Sequence, residues 1–374
     1  MKRVIAVLSV MLVALVAVLP LLAADFPQTE AAIAWLRAAQ EPDGGFSSGV
    51  AEGSDFGTTA EVILAAVAAG QDVSTWVTSA GRTPLDYVAS QVAAGQVSDV
   101  GNLSKAIFIA TATGQDPRTF GGMNLVSQVL AGQDTATGQF GDTLFKHAYA
   151  VLALHNAGEP VPASAVTLMM TQFTDDGGWA LFGGTAPATA DTNTTALVMQ
   201  ALVAVGDTGA AAGALPYLRR MQNADGGFPY QKPSAWGTET DANSTAVVLQ
   251  ALDAVGESLG NWATNGTDPL GALQALWDEA SGGYQWQAAV PGVNMLATAQ
   301  AVQAAEGMSL TTLPQVGASR TPEAGAGATA PLLPASGLEG ALPTVALLAG
   351  VLALLGLSAV LRRSAVPSRP SQRR

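Results

Sequence analysis

Asp191-Thr192-Asn193-Thr194-Thr195-Ala196-Leu197-Val198-Met199-Gln200-Ala201-Leu202-Val203-Ala204-Val205-Gly206 reads as one helix with its start and stop signals attached. Ala, Leu and Met are strong helix formers, and the closing Gly206 supplies the left-handed residue that ends a helix. No charge interrupts the run from Thr192 to Val205, so the helix meets other protein on most sides.

The same segment recurs along the chain as Ala60–Gly70, Ser104–Gly114, Ala148–Gly158, Ala196–Gly206, Ala246–Gly256 and Ala297–Gly307. Successive glycines lie 44, 44, 48, 50 and 51 residues apart, a period that marks an array of two-helix repeats. A more polar helix precedes each segment: Ala31–Gln40, Leu85–Ala94, Asn124–Ala131, Ala165–Gln172, Ala214–Gln222 and Leu270–Trp277. Apolar residues there fall at three- and four-residue spacing, with Arg37, Arg219 and Arg220 turned outward. Between the two helices stand turn signals, clearest in Asp43-Gly44-Gly45-Phe46, Asp176-Gly177-Gly178-Trp179 and Asp225-Gly226-Gly227-Phe228. Gly138-Gln139-Phe140 and Gly282-Gly283-Tyr284 are weaker versions, and the second repeat has lost the turn. Paired glycines permit the turn, and the aromatic residue after them fills the seam between repeats. An open array would need polar capping repeats at both ends, and none is visible. The expectation is an all-α fold, an (α/α)6 toroid of twelve helices in two concentric layers over residues 25–310.

Composition narrows the chemistry. The 374-residue chain has no cysteine and two histidines, His147 and His155. Thiol catalysis, disulfides, iron–sulfur clusters and cysteine-bearing zinc sites are excluded. Seven of the 16 basic residues sit at the extreme ends, which leaves nine against 29 acidic residues in between. An acidic body of that kind repels phosphate backbones, so no nucleic-acid partner is expected.

The ends point to export and anchoring. Lys2 and Arg3 precede an uncharged run to Leu22 and then Ala23-Ala24-Asp25, the layout of a secretory signal over residues 1–24; an uncleaved membrane helix is the alternative. Residues 311–340 are rich in Ala, Gly, Pro and Thr and read as a stalk. Residues 341–361 are apolar and charge-free, long enough to cross ~30 Å of hydrocarbon. The arginine-rich tail, 362–374, places its own side in the cytoplasm and the toroid at the cell surface. Leu333-Pro334-Ala335-Ser336-Gly337 resembles a sortase cell-wall sorting signal, with Ser336 where that pattern has Thr.

The remaining signal is a polar rim. Five residues before each inner-helix start stand Asp55, Asp99, Thr143, Asp191, Asp241 and Gly292; three before stand Asn193, Asn243 and Asn294. Such residues cap helices, and acidic groups suit the helix dipole there. The functional alternative is that some point inward and hold a polar ligand over the hole. Gln200, Gln250 and Gln300 read as one shared position on the last three inner helices. His147 either caps a helix or faces the lumen, and Trp236 and Trp286 either plug the barrel or stack on a ligand.

The repeats Gln40–Phe46, Gln172–Trp179 and Gln222–Phe228 resemble the Gln…Gly-aromatic repeats of the terpenoid cyclase and protein prenyltransferase superfamily, whose fold is the α/α toroid. Asp191–Leu202 is similar in style to repeats of the intrinsic factor and transcobalamin family. That resemblance implies a cobalamin-like ligand at the barrel mouth, held by Asp191, Thr195, Gln200, Asp241, Thr245 and Gln250. No other cofactor is expected, and no metal. A cyclase acid of Asp-any-Asp-Asp type is absent, and Phe173-Thr174-Asp175-Asp176 falls in a turn. The expectation is therefore an exported, membrane- or wall-anchored toroid that binds a small-molecule or surface-protein ligand without catalysis. Its ligand set is Asp55, Asp191, Asn193, Thr195, Gln200, Asp241, Asn243, Thr245 and Gln250. The alternative is an enzyme, either cyclase-like or an (α/α)6 carbohydrate-active enzyme using rim carboxylates such as Asp191 and Asp241.

Overall fold

A computed structural model describes residues 27–50, 52–234 and 237–316. In chain order its helices are α1 (Pro27–Ala38), α2 (Phe56–Ala68), α3 (Pro84–Ala93), α4 (Val100–Ala112), α5 (Leu125–Ala131), α6 (Leu144–Asn156), α7 (Ala163–Thr171), α8 (Thr192–Ala204), α9 (Thr208–Ala212), α10 (Leu215–Met221), α11 (Ala242–Ala254), α12 (Pro269–Gln274) and α13 (Met295–Ala305). The inner helices α2, α4, α6, α8, α11 and α13 pack side by side in that order, and α13 packs back on α2. The ring is closed. The outer helix α1 sits against both α13 and α2, so the seam between the last repeat and the first is covered like the others.

Two details depart from twelve simple helices. The fifth outer helix is broken into α9 and α10 around Gly213, just before Pro216, which has no N–H to continue a helix. The sixth ends at Gln274, and Trp277–Asp278 instead pairs antiparallel with Gly283–Tyr284. Among the described residues no helix is long and apolar enough to cross a membrane. The expected signal (1–24), the membrane helix (341–361), the tail (362–374), the sorting segment and Trp236 lie outside the described residues.

The repeated turn has a repeated mechanism. Thr59, Thr195, Thr245 and Thr298 each accept the backbone N–H of the turn aromatic, at 2.9 Å from Phe46, 2.9 Å from Trp179, 3.0 Å from Phe228 and 2.9 Å from Tyr284. In the third repeat His147 takes the place of threonine, its Nδ1 accepting from Phe140 N at 3.0 Å. The aromatic rings are buried in the seams, each contributing roughly 1.5–3 kcal/mol. Outside them the glutamines act as staples: Gln40 Nε2 donates to Gly44 O and Trp76 O, and Gln222 Nε2 to Gly226 O and Trp262 O. Gly226 needs its missing side chain, because φ is +92° and a Cβ would stand 2.5 Å from Thr267 O.

One end of the barrel is sealed. After α13 the chain crosses the C-terminal ends of three inner helices. Gln200 Oε1 on α8 accepts Leu310 N at 2.9 Å, Asn156 Nδ2 on α6 donates to Leu310 O at 2.8 Å, and Val316 N donates to Ala112 O on α4 at 3.0 Å. Met308, Leu310 and Leu313 are buried in this floor. Residues 311–316, which the sequence assigns to the start of the stalk, belong to it.

Candidate functional site

The N-terminal ends of the inner helices form the other opening, and the expected rim residues stand there as caps. Asp55, Asp191 and Asp241 accept from the N–H three residues on, at 2.7 Å in each case. Asp99 and Thr143 are the second and third caps. The sixth is Asn294, whose Oδ1 accepts Ala297 N at 2.9 Å; Gly292 is not at that position. The sequence register slipped by two residues there because α13 is shorter than its 13-residue counterparts. With the register corrected, the equivalent of Gln200 and Gln250 is Gln303, not Gln300.

Caps fix the facing of everything that follows. A helix turns about 100° per residue, so positions two, six, nine and thirteen after the cap face away from position four. Position four carries Thr59, His147, Thr195, Thr245 and Thr298, which bond outward to the turns. Thr195 and Thr245 are thus structural, and His147 neither caps nor faces the lumen. Its Nε2 lies 3.1 Å from Ala165 O, and burial lowers its pKa to about 4, so it stays neutral.

Positions two, six and nine line the axis. Position six carries Glu61, Lys105 and Tyr149 on α2, α4 and α6, then Leu197, Val247 and Gln300. Lys105 Nζ meets Glu61 Oε1 at 2.7 Å, with the Lys105 side chain 18% exposed and that of Glu61 5%. The ammonium lies 5.6 Å from the Tyr149 ring centroid. Burial alone would push Glu61 up, but the Lys105 charge, helped by Gln303 and Gln300, holds it below the ordinary carboxylate range. Burial likewise opposes the charge on Lys105, and Glu61 overrides it, so Lys105 is raised. The Tyr149 hydroxyl is pushed up to about 12 by burial and then by Glu61.

The expected ligand residues join this belt in part. Asn243, at position two, donates Nδ2 to Gln300 Oε1 at 2.7 Å. Gln250 Nε2 reaches Gln303 Oε1 at 3.5 Å, and Gln303 Nε2 donates to Glu61 Oε2 at 2.9 Å. Gln200 faces the floor, with its Nε2 buried and unpartnered. Asn193, also at position two, is buried and accepts from its neighbour Thr192. The sequence reading missed Glu61, Lys105, Tyr149 and Gln303. The available signal was that Glu61 and Lys105 are isolated charges at one register in helices otherwise free of them.

Asp191 differs from its fellow caps. It is 1% exposed, and burial raises its carboxyl to about 7 against the hydrogen bonds that favour its charge. Oδ1 caps the helix. Oδ2 is buried and closes no hydrogen bond, although the Tyr230 hydroxyl and Leu181 N–H are close enough to favour its charge. Tyr217, whose hydroxyl is also buried without a partner, feels the same carboxylate. Asp241, on the adjacent inner helix, is raised to about 6 by burial, opposed in part by Tyr230 N–H. Tyr230 therefore runs between two carboxyls that both titrate near neutrality.

A groove of about 940 Å³ lies elsewhere, at the C-terminal ends of α6 and α8 beside α7, lined by His155, Val161, Val166, Met170 and Val205 among others. It contains none of these perturbed carboxyls. Among the described residues no three acidic or histidine side chains converge to hold a metal.

No protein-family model matches the chain, and no curated protein matches it. Solved structures do. A type II terpene cyclase from Scytonema, in its apo form, superimposes with a TM-score of 0.53 at 13% identity, covering 75% of this chain and 97% of its own. The same cyclase carrying a substitution, in complex with geranylgeranyl dihydroxybenzoate, gives 0.52 at 13% identity over 75% and 96%. A substituted glycosidase in complex with glucose gives 0.50 at 13% identity over 76% and 95%. The resemblance to the terpenoid cyclase superfamily holds at the level of fold, which is the α/α toroid.

Proposed function

We propose that this α/α toroid is an enzyme that acts on a small molecule at the open end of its barrel, with Asp191 as proton donor. The observation that carries the reading is the state of Asp191. A cap works best charged, yet this one is buried, raised to about 7, and left with an unclaimed oxygen beside two tyrosines. A carboxylic acid half-protonated near neutral pH is suited to general acid catalysis. That the cyclase and the glycosidase with this fold are enzymes supports the same reading. The mouth faces one way only, since residues 308–316 close the floor, so substrate and product share one entrance.

A second reading, a non-catalytic carrier, is favoured by the caps themselves, because Asp55, Asp191 and Asp241 all bond their own helices. One variant separates the two. Asn caps a helix as well as Asp does, so Asp191→Asn keeps the fold and removes only the acid. The full chain and this variant are assayed for turnover and binding of aryl glycosides, prenylated hydroxybenzoates and a corrinoid. Turnover lost in Asp191→Asn with binding kept supports the enzyme; turnover kept sinks the acid. Binding of any probe with no turnover in either protein favours the carrier.

Export and surface anchoring belong to the same proposal, on residues 1–24 and 341–361. Membrane fractionation of the full chain against one ending at residue 340 tests the anchor. Recovery of both in the same soluble fraction would remove it.

A further inference from the structure

The fold does not require the Glu61–Lys105 pair. Repeats four and five place Leu197 and Val247 at the same position and close the ring equally well. Taking two charges out of water costs several kcal/mol per ion before their attraction offsets it. A pair retained at such cost, on the axis and beside the opening, calls for a role beyond packing.

Its chemistry is specific. Glu61 is satisfied by Lys105 and Gln303, whereas Lys105 spends one N–H donor on Glu61 and turns toward the Tyr149 ring. Asn243 spends its Nδ2 on Gln300, which leaves its carbonyl oxygen for a ligand. Donor and acceptor thus stand on opposite sides of the opening with no net charge between them. Phe145, half-buried at position two of α6, adds an aromatic ring, edge-on to Tyr149 at 5.0 Å. Below the belt the axis is full: Leu64, Phe108, Leu152 and Gln200 are all buried, and the floor closes beneath them.

We propose that Lys105, Asn243, Gln300 and Phe145, with Glu61 holding Lys105 in place, form a recognition site for a neutral polyhydroxylated ring, a saccharide unit. Hydroxyl groups donate and accept, which a neutral belt of mixed donors and acceptors rewards, and the C–H face of a sugar ring packs on an aromatic side chain. A free anion gains little because Glu61 cancels Lys105. A polyprenyl chain has no room to fold, because the axis below the belt is already packed. The inference shares the mouth with the proposed reaction and rests on that placement, but it does not use Asp191.

The test is titration of the full chain with glucose and cellobiose, with geranylgeraniol and gluconate as contrasts, followed by calorimetry or saturation-transfer NMR. Saturable binding of cellobiose is expected, weakened at least tenfold in the double variant Glu61→Leu/Lys105→Leu. Because the double variant could alter packing, Asn243→Leu provides a second, half-buried perturbation expected to weaken binding severalfold. Failure of both sugars to bind at millimolar concentration, or equal affinity in the variants, overturns the proposal, as does preferential binding of geranylgeraniol or gluconate. Asp191→Asn distinguishes the two readings: cellobiose binding that persists there without any effect on turnover leaves this site standing and removes the proton donor.

Discussion

Gln303 Nε2 donates to Glu61 Oε2 at 2.9 Å across 242 residues of sequence, joining the last inner helix to the first. Glu61 passes the connection on to Lys105, so three neighbouring inner helices share one buried polar contact. Removing one member leaves the other charged in a place water barely reaches. Lys105→Leu alone is expected to cost about 3–5 kcal/mol, whereas Glu61→Leu/Lys105→Leu is expected to be neutral or stabilising. Urea denaturation of both variants checks this; equal losses in the two would show that the charges are not coupled.

Stability should also depend on pH through Asp191. Its folded value of about 7 lies above the ordinary 3.8, so the folded state binds the proton more tightly than the unfolded chain. The contribution is complete below the ordinary value and is lost as pH rises through 7. His147 runs the opposite way: its folded value of about 4 lies below 6.5, so its contribution is complete above 6.5 and falls as pH drops. Asp191→Asn removes the first term and leaves the second. Relative to the parent chain, the variant should gain nothing near pH 4 and about 2–4 kcal/mol by pH 8, at roughly 1.4 kcal/mol per unit. Melting curves across that range decide it, and a flat difference would show that Asp191 is not raised.

The toroid was legible because each repeat spells its own ends: a capping residue, an apolar run with at most one charge and a glycine in the left-handed region. Those are local signals, and they fixed five of the six caps. The site was less legible because facing depends on where the helix starts. The two-residue slip at Asn294, together with a one-residue misalignment that set Gln300 beside Gln200 and Gln250, concealed Gln303 and hid the belt that α2, α4, α11 and α13 build together. Glu61 and Lys105 are 44 residues apart and meet only once the ring is assembled. The rim carboxylates suggested a ligand set, and three of them were committed to their own helices.

The threonine at position four carries a prediction of its own. Thr195 Oγ1 is the acceptor for the buried N–H of Trp179. Thr195→Val keeps the shape, removes the acceptor and leaves that N–H unpaired in the seam, at an expected cost of about 1–3 kcal/mol. Thr195→Ser, which keeps the oxygen, should recover most of it. A Val variant as stable as the Ser variant would show that packing of the Trp179 ring, and not this bond, holds the turn.

The floor should loosen before the ring does. Gln200 Oε1 accepts from both Leu310 N and Ser309 Oγ, and Gln200→Leu deletes the two bonds together. The Leu310 N–H is then buried without a partner, a local penalty of about 1–3 kcal/mol. The segment crosses the ends of α4, α6 and α8 without contributing to the contacts between inner helices that close the ring, so it can open on its own. Amide exchange at Leu310 and Val316 is therefore expected to accelerate about tenfold or more, while amides in the middle of α6 and α8 hold their rates. Uniform acceleration through both helices would mean that the floor and the ring unfold as one unit, and that the barrel depends on its closed end for its stability.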